Sequence, residues 1–226
     1  MKIRTFIAAT IMIQIMAALS LQAADSMTKL HAKAGSKMRI EGTSTVHDWQ
    51  VESKIIGGSI EVGSNFPTTA GQEVKPGKID VHGAAVIRVR SLQSVEKNGS
   101  HYSDTMDETM WRKLKMNETT NIYYYPGELN LKEPPKSKDA PYVFDAKGDV
   151  VVAGVTNNVT MPVNILPLAD GKVKISGTLN TKFSAFAIEP VYLIPGGKTF
   201  KTADEVKLIF DWVVGPNKPA PGSVSK

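Results

Sequence analysis

The chain has 226 residues, 42% of them hydrophobic, a formal charge of +5 and no cysteine. Two of those charges are Lys2 and Arg4, and the other Lys and Arg are interleaved with Asp and Glu, which argues against a nucleic-acid surface. Without cysteine, a disulfide framework and a lipid anchor on an N-terminal Cys are both excluded.

In chain order the first element is a leader. Lys2 and Arg4 precede an apolar run from Phe6 to Leu21, and small residues follow at Ala23 and Ala24. This predicts a secretory signal peptide over 1–24, because the run is short for a membrane span of about 20 apolar residues. A mature domain over 25–215 is long enough for a single sizeable core. Residues 216–226, rich in Pro, Gly and Ser, read as a disordered tail. The expected location is the periplasm or the exterior, with no stable membrane span after cleavage.

The mature segment reads as β almost throughout. "SKMRIEGTSTV" alternates Met38, Ile40, Gly42, Ser44 and Val46 against Arg39, Glu41, Thr43 and Thr45. From Trp49 onward the apolar positions are odd (Trp49, Val51, Ile55), so the phase slips across His47-Asp48. A bulge or corner in a strand that changes direction has this signature, with Asp48 bonding local backbone. Gly57-Gly58 marks a turn, bulge or bend, and Asn65 to Lys78, with Pro67, Gly71, Pro76 and Gly77, reads as a loop. "IDVHGAAVIRVRSL" places Val81, Gly83, Ala85, Ile87 and Val89 on one face.

Ser103 to Met116 is the exception. Ser103 or Asp104 can cap a helix, Asp107 and Glu108 stand in its first turn, and Lys113 and Lys115 in its last. Met106, Met110 and Leu114 share one face, giving an amphipathic helix of about three turns. "NIYYYPGEL" is a short aromatic strand. "YVFDAKGDVVVAGVTNNVTMPVNI" reads as a hairpin turning around Thr156-Asn157-Asn158. "KVKISGTLNTKFSAFAI" and "EVKLIFDWVV" supply the last strands. Eight or nine short strands give an antiparallel sandwich or barrel, which pattern alone does not separate.

Catalytic and metal motifs are weak. "GTSTV" ends in Val46 where a nucleophile elbow needs glycine, and Ser44 lies inside an alternating strand. The four histidines (His31, His47, His82, His101) are more than ten residues apart, with no HExxH and no EF-hand loop. No catalytic residue, metal or cofactor is therefore assigned. An enzyme built on His47 and Asp48 is a lesser alternative, as is a non-catalytic structural or stress-related module with a filled core. The leading reading uses the interior. Small residues (Gly42, Gly83, Ala85, Gly154, Gly177) stand among the apolar positions and leave volume for a cavity. Burial yields about 0.8 kcal/mol per CH₂, so a long alkyl or prenyl chain needs no catalytic residue to be held.

Five segments in order resemble the YceI-like family of exported lipid- or polyisoprenoid-binding proteins. They are "SKMRIEGTSTVHDWQVESKIIGGSIEV", "MDETMWRKLKMNETTNIYYYPGEL", "AKGDVVVAGVTNNVTMPV", "ISGTLNTKFSAFAIEP" and "DEVKLIFDWVV", covering roughly Lys29 to Val214. The resemblance implies an all-β, eight-stranded antiparallel lipocalin-like barrel with one short amphipathic helix. It further implies an apolar tunnel for an isoprenoid quinone, polyprenyl or fatty-acyl chain, with His47 as a polar pocket residue. With His47, the residues assigned to the ligand are Trp49, Ile87, Val89, Met110, Tyr123, Tyr125, Phe183 and Phe186. An apolar lipid or isoprenoid is the expected partner, and a homodimer is left open.

Overall fold

The computed structural model describes residues 27–193 and 199–217, so the expected leader and nearly all of the expected tail lie outside the described residues. The strands are β1 (Thr28–Ala32), β2 (Lys37–Ser44), β3 (Trp49–Ser53), β4 (Gly57–Val62), β5 (Lys78–Arg88) and β6 (Gln93–Ser94). The helix α1 (Asp104–Lys113) precedes β7 (Asn121–Glu133), β8 (Tyr142–Val152), β9 (Val155–Pro167), β10 (Val173–Lys182), β11 (Tyr192–Leu193) and β12 (Phe200–Gly215).

Eight of these strands close into a ring, in the order β1-β4-β5-β7-β8-β9-β10-β12, with β1 returning to β12 through His31↔Gly215 and Ala32↔Val214. Every pairing in the ring is antiparallel. The expected eight-stranded antiparallel barrel with one helix is therefore what the chain forms. β12 is long enough to share one edge between two partners, β2 along Thr202–Asp211 and β1 at its end. β2 carries β3 and β6 with it as an extension of the sheet beside the ring.

This split requires bends, and a buried serine holds each one. Between β1 and β2, Ser36 Oγ donates to Lys33 O (3.0 Å) and accepts from Val213 N (3.0 Å). Between β3 and β4, Ser53 Oγ donates to Ile55 O (2.9 Å) and accepts from Ile55 N (3.2 Å). At β6, Ser94 Oγ donates to Ser103 O and accepts from Ser103 N, both at 3.1 Å. A bend frees backbone groups from the ladder, and a buried hydroxyl that both donates and accepts satisfies them. Just past the second bend, Gly58 has φ +98 and lies so close to Ala84 O that a Cβ would collide with it, which is why the pair Gly57-Gly58 stands there.

Inward residues alternate as the pattern requires: Tyr142, Phe144, Ala146, Val150 and Val152 of β8 are all buried, as are Ile79, Val81, Ala85 and Ile87 of β5. The loop between β4 and β5 folds around Gln72, whose side chain accepts from Thr68 N and donates to Ser64 O and Phe66 O. Phe66 is thereby buried in the core, and the Tyr142 hydroxyl ties the loop down by donating to Gln72 O at 2.5 Å.

Three sequence expectations are corrected. The β8–β9 turn is Ala153-Gly154, and Thr156 to Asn158 lie inside β9. Both turn residues have positive φ (50 and 83), the conformation whose twist matches that of the flanking strands. "FSAFAI" is not strand; β10 stops at Lys182 and residues 184–186 form a short 3₁₀ turn. The phase slip at His47-Asp48 is neither a bulge nor a corner but a full hairpin reversal. Met38 faces Ser53, Ile40 faces Val51 and Gly42 faces Trp49, so an even residue always meets an odd one and the apolar face changes parity as the chain turns back.

The small inward residues also behave differently from expectation. A Cβ on Gly42 would strike the Trp49 indole, one on Gly148 the Tyr124 ring, and one on Gly177 the Phe210 ring. The volume that these glycines leave is occupied by neighbouring aromatics rather than left open. Gly154 sits in the turn and Gly83 (φ +113) lies against Ser59 O, so neither opens the interior.

Candidate functional site

Two spaces follow one another along the barrel. The outer one is an open groove of ≈ 1520 Å³, bordered by Gly42, His47, Trp49, Tyr102, Met106, Thr181 and Val206 among others. The inner one is a wholly apolar-walled cavity of ≈ 90 Å³, bordered by Ile87, Tyr124, Leu179, Leu208, Phe210 and Trp212 among others. Inward positions of a strand recur every second residue. Along β12, Val206 lines the groove and Leu208, Phe210 and Trp212 line the cavity; along β10, Thr181 lines the groove and Leu179 and Ile175 the cavity.

The groove is built on the β2–β3 hairpin. Ser44 Oγ accepts from Val46 N and His47 N and donates to His47 O (2.7 Å), so Ser44 rather than Asp48 organises the turn. His47 is exposed, with Nδ1 2.7 Å from Asp48 O and Nε2 3.2 Å from the Tyr102 hydroxyl. Its ring meets that of Tyr102 edge-on, with centroids 5.7 Å apart. Both ring nitrogens thus have neighbours other than the Asp48 carboxylate, and His47 and Asp48 do not form a dyad. Trp49 lies over Gly42, donates from Nε1 to Thr43 O (3.1 Å) and stacks on Phe183 at 6.1 Å.

Both aromatic partners are anchored from behind. Asp204 accepts from Ser184 N (2.8 Å) and Ser184 Oγ (2.5 Å), while its backbone oxygen accepts from Phe183 N (2.9 Å). The Ser184 hydroxyl, above all, holds the Asp204 carboxyl below the usual aspartate range. On the other wall, Ser103 caps α1 by accepting from Met106 N. Asp107 is only 2% exposed and accepts from Ser94 N (2.6 Å) and His101 Nε2 (3.0 Å). His101, Asp104 and Asp107 place three candidate ligand atoms within 4.8 Å of one another. Asp107 is, however, already engaged in fastening the 95–102 loop to the helix.

The residues assigned from sequence fall in several places. His47 and Trp49 border the groove, and Ile87 and Tyr123 border the inner cavity. The Tyr123 ring stacks on that of Tyr125 at 5.6 Å, and Tyr125 is 44% exposed and borders neither space. Val89 and Phe186 are buried in the core, and Met110 packs against it; none borders either space, and Met106 is the methionine that reaches the groove. Phe183 takes part through its stack on Trp49.

Tyr124 and Trp212, which the sequence assignment does not include, also border the inner cavity. Alternation identifies both: Ile122 and Tyr124 share the inward face of β7, and Leu208, Phe210 and Trp212 that of β12. Burial, with a smaller contribution from Asp149, pushes the Tyr124 hydroxyl up to about 12. Among the described residues, its oxygen and Trp212 Nε1 are the buried side-chain polar atoms with no hydrogen-bond partner.

A closed antiparallel barrel with an apolar inner cavity beneath a broad groove defines a lipocalin-like β-barrel. The chain belongs to the YceI-like domain family, whose sequence profile matches residues 24–214. Among solved structures it is similar to BcnA of Burkholderia cenocepacia, at 17% identity and a TM-score of 0.55, covering 80% of this chain and 98% of that one. It is also similar to a polyisoprenoid binding domain from Saccharophagus degradans implicated in plant cell wall breakdown. There the identity is 10% and the TM-score 0.57, covering 85% of this chain and all of that one. At such identities the likeness is one of fold. No curated protein matches the chain. No helix among the described residues is long and apolar enough to cross a membrane.

Proposed function

We propose that this protein is an exported, non-catalytic binding or carrier protein for an amphiphilic apolar molecule with an isoprenoid or fatty-acyl chain. The observation that carries this reading is the succession of groove and cavity along one barrel, with apolar residues turned toward both. The inner cavity is smaller than the roughly 150 Å³ apolar cavity that holds a benzene, so it admits one end of such a molecule. The rest lies in the groove against Trp49, Tyr102 and Met106. Family membership and the fold shared with a polyisoprenoid-binding domain support the same reading.

Native mass spectrometry of the protein purified from its own host is the test. Retained lipid, or uptake of a long-chain quinone at one molecule per barrel, is expected; a bare protein that takes up none would reject it. The narrowness of the inner cavity favours a second reading, a structural barrel with a filled core, and that outcome of the same measurement would establish it.

A further inference from the structure

The barrel end that carries the groove also carries a cluster of basic side chains without acidic partners. In the antiparallel ring, Arg88↔Asn121, Val152↔Val155 and Lys182↔Glu205 stand at one end, and Lys182 and Glu205 border the groove there. Helix α1 joins the two features. Its Met106 borders the groove, and its Trp111 ring lies under the Arg90 guanidinium at 4.2 Å.

The turn that holds Arg90 gathers the rest. Ser91 Oγ lies 2.8 Å from Ser53 Oγ, which brings Lys54 and Ile55 beside it. Val89 N–H donates to Thr120 O (2.9 Å) and Thr119 Oγ1 donates to Lys115 O (3.3 Å), so Arg88 and Lys115 flank the same turn. Arg112 adjoins Trp111 in the helix. Lys54, Arg88, Arg90, Arg112 and Lys115 are all exposed, and among the described residues none has a carboxylate within ion-pair distance. By contrast, Lys29, Lys78, Lys132, Lys182 and Lys207 on the strands each meet an acid. The same segments contribute two acids, Glu108 and Glu118, and Lys113 is taken up by Glu189, which leaves an excess of three positive charges. Ile55 stands among them, 66% exposed.

We infer that this end of the barrel docks on an anionic phospholipid bilayer, with the five cations at the headgroups and Ile55 inserted between the lipids. Charge complementarity selects an anionic surface. An exposed apolar side chain among the cations, which a soluble polyanion does not reward, selects a bilayer. Each Lys or Arg near such a surface strengthens partitioning about fivefold, and the attraction decays within a Debye length. The dock stands on the patch alone, while its use rests on the binding function proposed above. It sets the groove against the layer where a long-chain amphiphile resides and spares that chain a passage through water.

Co-sedimentation of the mature protein with vesicles tests it. Binding to mixed phosphatidylglycerol–phosphatidylcholine vesicles is expected at low salt, with little on phosphatidylcholine alone and release by added salt. A triple variant, Arg88→Gln, Arg112→Gln and Lys115→Gln, should bind about a hundredfold more weakly, and Ile55→Ser about tenfold. All four positions are exposed, so denaturation midpoints should match that of the parent, and release by salt is read on the parent itself. Absence of binding to the anionic vesicles, equal binding to neutral ones, or binding unchanged in the triple variant overturns the dock. None of these results touches lipid retention in native mass spectrometry, which tests the binding function separately. Binding lost in the triple variant but unchanged in Ile55→Ser would mean that the patch takes a soluble polyanion, and overturns the bilayer as its partner.

Discussion

At the scale of single residues, the His47-Asp48-Trp49 trio separates into different roles. Trp49 is the structural member: its ring covers Gly42, bonds to Thr43 O and stacks on Phe183. Trp49→Ala should cost about 3 kcal/mol, read as a lowered denaturation midpoint at unchanged m-value. His47 is exposed, so His47→Ala should stay within about 0.5 kcal/mol of the parent in stability while shortening retention of a long-chain quinone in native mass spectrometry. The opposite ranking would contradict the proposed site. Asp204 adds a pH dependence. Its folded pKa is depressed by Ser184, so its contribution is complete above the ordinary aspartate range and is lost as pH falls through the lowered folded value. Acidification through that range should loosen the Ser184 turn and, with it, the Phe183–Trp49 stack. A fluorescence titration should show the step, and it should be missing in both Trp49→Phe and Asp204→Asn.

At the scale of elements, the helix and its preceding loop behave as one unit joined by Asp107. Removing that carboxylate strands Ser94 N and releases His101, so Asp107→Ala should cost about 2–3 kcal/mol. Chemical denaturation measures this, and an effect near zero would mean that the loop is held otherwise. The helix itself was legible in the sequence, with Ser103 one of the two caps it offered, because capping and dipole complementarity are local signals. The buried partnership of Asp107 was not, because its partners lie in another element and a first-turn aspartate already has a sufficient local explanation. Strand identity was likewise legible from alternation, whereas turn position was not. Asn157-Asn158 has the composition of a turn, but Ala153-Gly154 takes it because pairing of Val152 with Val155 sets the register. The aromatic run of β7 shows the same limit, since three successive tyrosines fit either face until Ile122 is recognised as the inward residue.

At the scale of the whole molecule, alternation implied eight or nine strands but not their closure, because no local signal states that the first strand meets the last. Nor could the sequence distinguish empty glycine positions from filled ones: Gly42 and Gly177 read as open volume, and only the packed aromatics reveal otherwise. Closure has a measurable effect. A variant lacking residues 25–32 loses β1 and leaves β4 and part of β12 with unpaired edges. It should form oligomers or aggregates by size-exclusion chromatography, and a monodisperse, protease-resistant monomer would show that the ring is dispensable. The meeting of His31 with Gly215 also sets an order in time. A polypeptide emerging from the ribosome, or threading through a narrow channel, amino end first can form its hairpins one by one, but it cannot lock. Lys33, whose N–H bonds Val213 O, and Ser36, which accepts from Val213 N, wait for a partner almost two hundred residues later. Until those last residues are free the molecule has no finished interior, and whatever it carries can be taken up only once synthesis or transit is over.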